Sequence, residues 1–218
     1  MHDKFVRLDK RVYEYLLAHC TEPDDLEVEL IERTDSLGDV SVMQVARDQA
    51  QLMGMLTKLS GARRAVEVGT FTGLSALAVA RALPADGTLL CCDISEEWTA
   101  IAREFWQRAG VDSKIRLELA PAIDTLRALP TDEPIDIAFI DADKAGYPAY
   151  YEELITRMDS GGLLLLDNVL WFGMVADPSV TDDDTNAIRA FNDMVATDDR
   201  VEVVMLPVSD GLSLVRKR

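Results

Sequence analysis

Histidine, cysteine and positive charge are what this chain has least of. Its two histidines, His2 and His19, both fall near the N-terminus, which leaves no material for a histidine-centred catalytic triad in the rest of the sequence. Three cysteines, Cys20 and the adjacent Cys91 and Cys92, make an odd total with no Cys-x-x-Cys spacing. That pattern argues against a disulfide framework or a zinc site, and Cys91 and Cys92, set in an apolar run, read as inert strand residues. Lys and Arg number 22 against 39 Asp and Glu, a formal net charge of −17. Such a field opposes nucleic acid and other polyanions and suits a neutral or cationic ligand. No apolar run reaches 18 residues, and the opening MHDKFVRLDKRVYEYL has neither the apolar stretch nor the small-residue cleavage site of a secretion signal, so a cytoplasmic enzyme without membrane attachment is expected. Repeats, linkers and low-complexity tracts are missing too. One domain over residues 1–218 is therefore expected, with 1–60 as a helical extension and 61–218 as an α/β core.

What is present is a regular alternation. Residues 5–19 place Phe5, Leu8, Val12, Tyr15, Leu16 and His19 at helical spacing, Glu27, Leu30, Ile31 and Thr34 continue in a second helix after Pro23, and a third is expected from about Val45 to Leu59. From residue 64, short β-branched or leucine-rich runs at 64–69, 88–93, 115–119, 135–141 and 162–167 alternate with amphipathic stretches, which predicts βαβ units around a mostly parallel sheet. Trp98, Ile101, Ala102, Phe105 and Ala109 make the clearest helix, capped by Ser95. Two runs at 201–206 and 212–217, separated by Pro207 to Gly211, predict a closing antiparallel hairpin.

Ligands of open parallel sheets bind beyond the carboxyl ends of the strands. Those ends are polar here: Glu67-Val68-Gly69, Asp93, Asp141 and Asp167-Asn168. The first turn, Glu67 to Ser75, has the glycines for a tight turn but is not Gly-x-Gly-x-x-Gly, and an acidic residue at its start suits a cationic sulfonium ligand better than a pyrophosphate. Asp93, 20 residues after Gly73, is placed to accept hydrogen bonds from a ribose. Asp141, Asp167 and Asn168 offer three hard oxygens suited to Mg²⁺ or Ca²⁺, with a turn cap as the alternative reading of Asp167-Asn168. Lys144, three residues past Asp141, is a candidate general base, against the alternative of a solvated surface lysine.

These residues resemble the cation-dependent O-methyltransferase family that includes caffeoyl-CoA and catechol O-methyltransferases. The resemblance runs from about Met43 to the C-terminus and is carried by Glu67 to Ser75, Ile140 to Lys144, Asp167 to Trp171 and Leu206 to Gly211. It implies a Rossmann-like class I methyltransferase fold, a mostly parallel seven-stranded sheet with a C-terminal antiparallel hairpin and an N-terminal helical extension. It further implies an S-adenosylmethionine site lined by Val45, Glu67, Gly69, Thr70, Ser75, Asp93, Ala122 and Asp141. Asp141, Asp167 and Asn168 would hold a divalent cation (Mg²⁺, or else Ca²⁺ or Mn²⁺), Lys144 would be the base, and the expected assembly is a homodimer. The implied reaction is methylation of one hydroxyl of a catechol-like small phenol, with Trp171 and Phe172 as candidate walls for its ring.

Two features depart from the pattern. Ala120-Pro121-Ala122 lacks an expected glycine, and the acidic segment Asp177 to Asp184, expected near the substrate entrance, should repel the phosphates of coenzyme A. A hydroxylated tRNA base is the alternative substrate, disfavoured by the net charge. An NAD-binding dehydrogenase and a non-catalytic nucleotide-binding module are the readings from other classes.

Overall fold

The structure, a computed structural model, describes residues 6–218. His2 and Phe5, the latter the first residue of the expected N-terminal helix, lie outside the described residues. Seven strands form one sheet: β1 (Arg64–Val68), β2 (Thr88–Asp93), β3 (Ile115–Leu119), β4 (Ile135–Ile140), β5 (Met158–Leu166), β6 (Val201–Leu206) and β7 (Leu212–Lys217). Their spatial order is β3-β2-β1-β4-β5-β7-β6. Strands β1 to β5 are parallel, and β7 runs antiparallel between β5 and β6. The expected mostly parallel, seven-stranded sheet with a closing hairpin is what forms.

The eight α-helices among the described residues are α1 (Lys10–Ala18), α2 (Asp25–Asp35), α3 (Arg47–Ser60), α4 (Leu74–Ala82), α5 (Glu96–Arg108), α6 (Ala122–Arg127), α7 (Tyr147–Thr156) and α8 (Asp183–Ala196). Alternation along the strands builds a core on each face of the sheet, because successive side chains point to opposite sides. Ala65, Ile137, Phe139 and Leu165 pack with Met53, Leu77, Phe105 and Trp106 from α3, α4 and α5. Val66, Val68, Ala138 and Ile140 pack instead with Leu126, Tyr151, Leu154 and Phe191 from α6, α7 and α8. Each fully buried side chain of this size contributes roughly 1.5–3 kcal/mol from water exclusion.

The N-terminal extension is held differently. The α1 helix starts at Lys10, where Asp9 caps it by accepting from Val12 N at 2.9 Å, and it buries no side chain. Its attachments are polar: Tyr13 Oη donates to Asp48 Oδ1 at 2.8 Å, and Arg47 Nη2 donates to the Leu17 carbonyl at 2.9 Å. The α2 helix has a reciprocal capping box between Asp24 and Glu27.

Besides shifts of a residue at several strand ends and the later start of α1, two boundaries differ from those expected. The third helix begins at Arg47, leaving Val45 in the connection that leads into it. Strand β5 begins at Met158 rather than 162, because Met158 pairs with Ile135 across an irregularity in register. The Asp159-Ser160-Gly161-Gly162 stretch, turn-like in composition, is drawn into the sheet by that neighbour.

Candidate active site

The chain returns to the middle of the sheet when β4 pairs with β1 on the side away from β2, so connections leave in opposite directions at the carboxyl ends of β1 and β4. That divergence opens the crevice where open α/β sheets place ligands. Four strand ends meet around it, at Glu67 to Gly69, Asp93, Asp141 and Asp167-Asn168.

The first turn is shaped by two constraints. Gly69 has φ +88°, and a Cβ there would stand 1.7 Å from the Asp141 carbonyl oxygen, so no other residue lets β1 and β4 approach this closely. Asp93 then organises the loop: Oδ2 accepts from Thr70 N and Phe71 N, both at 2.9 Å, while Oδ1 accepts from Ile94 N at 2.7 Å and Ser95 N at 2.8 Å. The residue read in the sequence as a ribose acceptor thus already holds four backbone N–H groups. Phe71 and Trp98, not singled out for binding in the sequence, meet edge to face beside it at 5.1 Å between ring centroids.

Glu67, Thr70 and Ser75 are buried together. Burial pushes the Glu67 carboxyl up to about 8, and the charges of Asp141 and Asp93 add to the rise. Glu67 Oε2 and Thr70 Oγ1 are fully buried without a hydrogen-bond partner in the protein. Unsatisfied buried polar atoms carry a free-energy cost, and a polar ligand entering this turn would remove it. Ala122, buried at the start of α6 after Pro121, and Val45, half-buried, complete the predicted lining residues. The neighbouring Cys91 and Cys92 are buried strand residues whose thiols are pushed up, chiefly by burial, Cys92 to about 12.

The second half of the site centres on Lys144, which is only 8% exposed and therefore no surface lysine. Its ammonium donates to Asn168 Oδ1 at 2.6 Å, to Tyr147 Oη at 2.7 Å and to Asp141 Oδ1 at 3.3 Å. Tyr147, missed in the sequence because an aromatic at the start of a helix looks like core, passes its own hydroxyl proton toward the carbonyls of Asp167 at 3.2 Å and Ile140 at 3.4 Å. Asp167 is almost fully buried, and one of its oxygens accepts from Asn168 N at 2.8 Å. Both Asp141 and Asp167 have raised pKa values, first because they are buried; mutual repulsion adds to the rise at Asp167, and Lys144 offsets it at Asp141. Gln49, fully buried on α3 near Asp167, has neither side-chain polar atom in a hydrogen bond.

A cation fits this donor set. Two carboxylates and an amide oxygen are hard ligands, and the ammonium of Lys144 already stands as a positive charge against two of the three, Asp141 Oδ1 and Asn168 Oδ1. Among the described residues no group of three His, Cys, Asp or Glu side chains is gathered for a metal.

Two aromatics follow at once. Asn168 has φ +53°, Trp171 +46° and Phe172 +52°, left-handed conformations that cost bulky residues free energy. They turn Trp171 and Phe172 outward: Trp171 is half-buried, its ring 5.6 Å from the Lys144 ammonium, and Phe172 is 70% exposed. Neither is a core residue. Beyond them, Asp177 accepts from Ser179 and Asp182 caps α8, so part of the acidic segment has a local structural use.

A sheet in this order with an acidic turn after β1 and a lysine-carboxylate-amide cluster at β4 and β5 defines a Rossmann-like methyltransferase. The O-methyltransferase family model matches residues 18–218, and the chain belongs to that family. It is 37% identical to a probable caffeoyl-CoA O-methyltransferase of Dictyostelium discoideum over 99% of this chain and 96% of that one. It is 38% identical to a catechol O-methyltransferase domain-containing protein of Mus musculus, over 96% of this chain and 80% of the relative. An O-methyltransferase from Bacillus cereus, solved in complex with SAH, superposes with a TM-score of 0.87 at 27% identity, covering 95% of this chain and 97% of the other. No helix among the described residues is long and apolar enough to cross a membrane.

Proposed function

We propose that this methyltransferase takes its methyl group from S-adenosylmethionine and, with a divalent cation, transfers it to one hydroxyl of a catechol-like small molecule. The observation that carries this reading is the Lys144 ammonium bound to Asp141 and Asn168 at the carboxyl ends of β4 and β5. The SAH bound to the Bacillus cereus relative and the unpaired Glu67 Oε2 and Thr70 Oγ1 support the cofactor. Val45, Glu67, Gly69, Thr70, Ser75, Asp93, Ala122 and Asp141 would line its site.

Asp141, Asp167 and Asn168 would hold the cation, with Mg²⁺ matching the hard, all-oxygen set. When bound, such an ion supplies a Lewis acid that makes a neighbouring hydroxyl easier to deprotonate. Lys144, in its neutral form, would accept the proton of the reacting hydroxyl, with Tyr147 holding the lysine in place. Trp171 and Phe172 offer flat apolar faces to an aromatic ring. The net charge of −17 and the Asp177 to Asp184 segment disfavour a polyphosphate carrier, which ranks a free catechol above a coenzyme A ester.

The test is methyl transfer from labelled S-adenosylmethionine to catechols, flavonoids, coenzyme A esters and RNA, with Mg²⁺ and with excess chelator. Cation-dependent labelling of the catechols is expected. Full turnover in chelator, or labelling of RNA alone, would reject the reading.

A further inference from the structure

The closing motif Leu206 to Gly211 is unexplained by the site described so far, yet its turn reaches into that site. The Leu170 amide donates to the Asp210 carbonyl at 3.0 Å and the Val169 amide to the Gly211 carbonyl at 3.2 Å. Gly211 has φ +90°, and a Cβ there would stand 2.5 Å from Leu170 Cγ and 2.7 Å from its backbone nitrogen. The β6-β7 turn is therefore clamped onto the segment that carries Asn168, Trp171 and Phe172.

Asp210 occupies the centre of this contact. Its Oδ2 accepts from Asn168 Nδ2 at 3.4 Å, and its Oδ1 accepts from the Phe172 amide. Asn168 Oδ1 meanwhile accepts from Lys144. An asparagine amide can be turned by 180° with little change in shape, so only its partners decide which end presents oxygen. Here a carboxylate on one side can pair only with the NH₂ group, which leaves the oxygen for the lysine and the cation. The same carboxylate ties down Phe172, which with Trp171 is one of the two aromatics of this segment in a left-handed conformation.

We infer that Asp210 is a positioning residue of the cation centre: it sets the Asn168 amide with its oxygen inward and couples that ligand to the Trp171-Phe172 wall. This rests on the proposed cation dependence. Partners that orient a metal ligand typically change metal affinity by about 10- to 100-fold when removed.

The experiment is Mn²⁺ titration followed by electron paramagnetic resonance on the wild type, Asp210→Ala and Asp210→Asn, with SAH affinity measured on each protein as the check on folding. Asp210→Ala is expected to bind Mn²⁺ about tenfold or more weakly while SAH affinity stays within about twofold. Asp210→Asn, isosteric and the second variant should the first not fold, is expected to show the same direction, because it keeps only one of the two oxygens that accept separately from Asn168 and Phe172. If the wild type binds Mn²⁺ and a variant with normal SAH affinity binds it equally well, the role of Asp210 is overturned while the cation reading stands. If the wild type binds no Mn²⁺, the cation reading itself falls, and this inference with it.

Discussion

The Lys144 ammonium lies 2.6 Å from the Asn168 side-chain oxygen, a contact between residues 24 positions apart that joins the turn after β4 to the end of β5. It places a positive charge among the oxygens proposed to hold a cation, at the point where a reacting hydroxyl would approach. Replacing Lys144 by Met removes the proposed proton acceptor while keeping an unbranched side chain only one atom shorter. The expected result is a fall in kcat of about 10²- to 10⁴-fold with S-adenosylmethionine affinity little changed. Steady-state kinetics on a catechol and a separate cofactor titration check it, and a fully active variant would remove Lys144 from the mechanism.

Asp167 and Asn168 should be needed together. Asp167→Asn or Asn168→Leu is expected to abolish stimulation by Mg²⁺, lowering turnover about 100-fold or more, and excess chelator should do the same to the wild type. Activity measured across a range of Mg²⁺ concentrations decides the matter; a variant with an unchanged Mg²⁺ response would remove the substituted residue from the cation set.

Glu67 predicts a pH-dependent stability with a defined sign. Its folded-state pKa, about 8, lies above the ordinary 4.5, so the folded cofactor-free protein keeps a proton that the unfolded chain has released. The stabilising contribution is full below about 4.5, declines as pH rises between the two values, and is gone above about 8. Glu67→Gln lacks this titration and should gain on the wild type progressively through that window. Urea denaturation of both proteins at about pH 5, 7 and 9 measures the difference. A gap that does not change with pH would contradict the buried, protonated carboxyl.

Gly69→Ala should be severely destabilising. The added methyl would overlap the Asp141 carbonyl oxygen, 1.7 Å away, at a backbone position with φ +88°. The combined strain amounts to roughly 3 kcal/mol or more. Chemical denaturation of the variant would show it, along with loss of cofactor binding, since β1 and β4 could no longer close on each other. A stable Gly69→Ala protein would mean that the two strands have more room than this.

Asp93→Ala should act on the turn as a whole. It strips an acceptor from the amides of Thr70, Phe71, Ile94 and Ser95 at once. S-adenosylmethionine affinity is expected to fall at least about tenfold, each tenfold step being 1.4 kcal/mol. Calorimetric titration measures this, and affinity within about twofold of wild type would show that the turn is held by other contacts.

Local order and pattern were legible in the residues themselves. All seven strands fall where short apolar runs sit between polar breaks, and Ser95 caps its helix as its side chain and position suggest. These are consequences of backbone periodicity and of nearest-neighbour hydrogen bonding, which a linear sequence carries in full. Glu67, Asp93, Asp141, Asp167 and Asn168 were readable as site candidates for a related reason: polar residues ending apolar strands need polar partners or a ligand there.

What the sequence could not determine is which distant groups share a partner. Asp159 to Gly162 looked like a turn and became strand because Met158 found Ile135 across the sheet. Tyr147 and Gln49, residue types at home in a core or on a helix surface, became neighbours of Lys144 and Asp167. Asp210, a turn residue by composition, met Asn168 from 42 positions away. Burial, the partner of each hydrogen bond and the raised carboxyl pKa values all depend on which other elements exclude water around a group, and only the packed tertiary structure decides that.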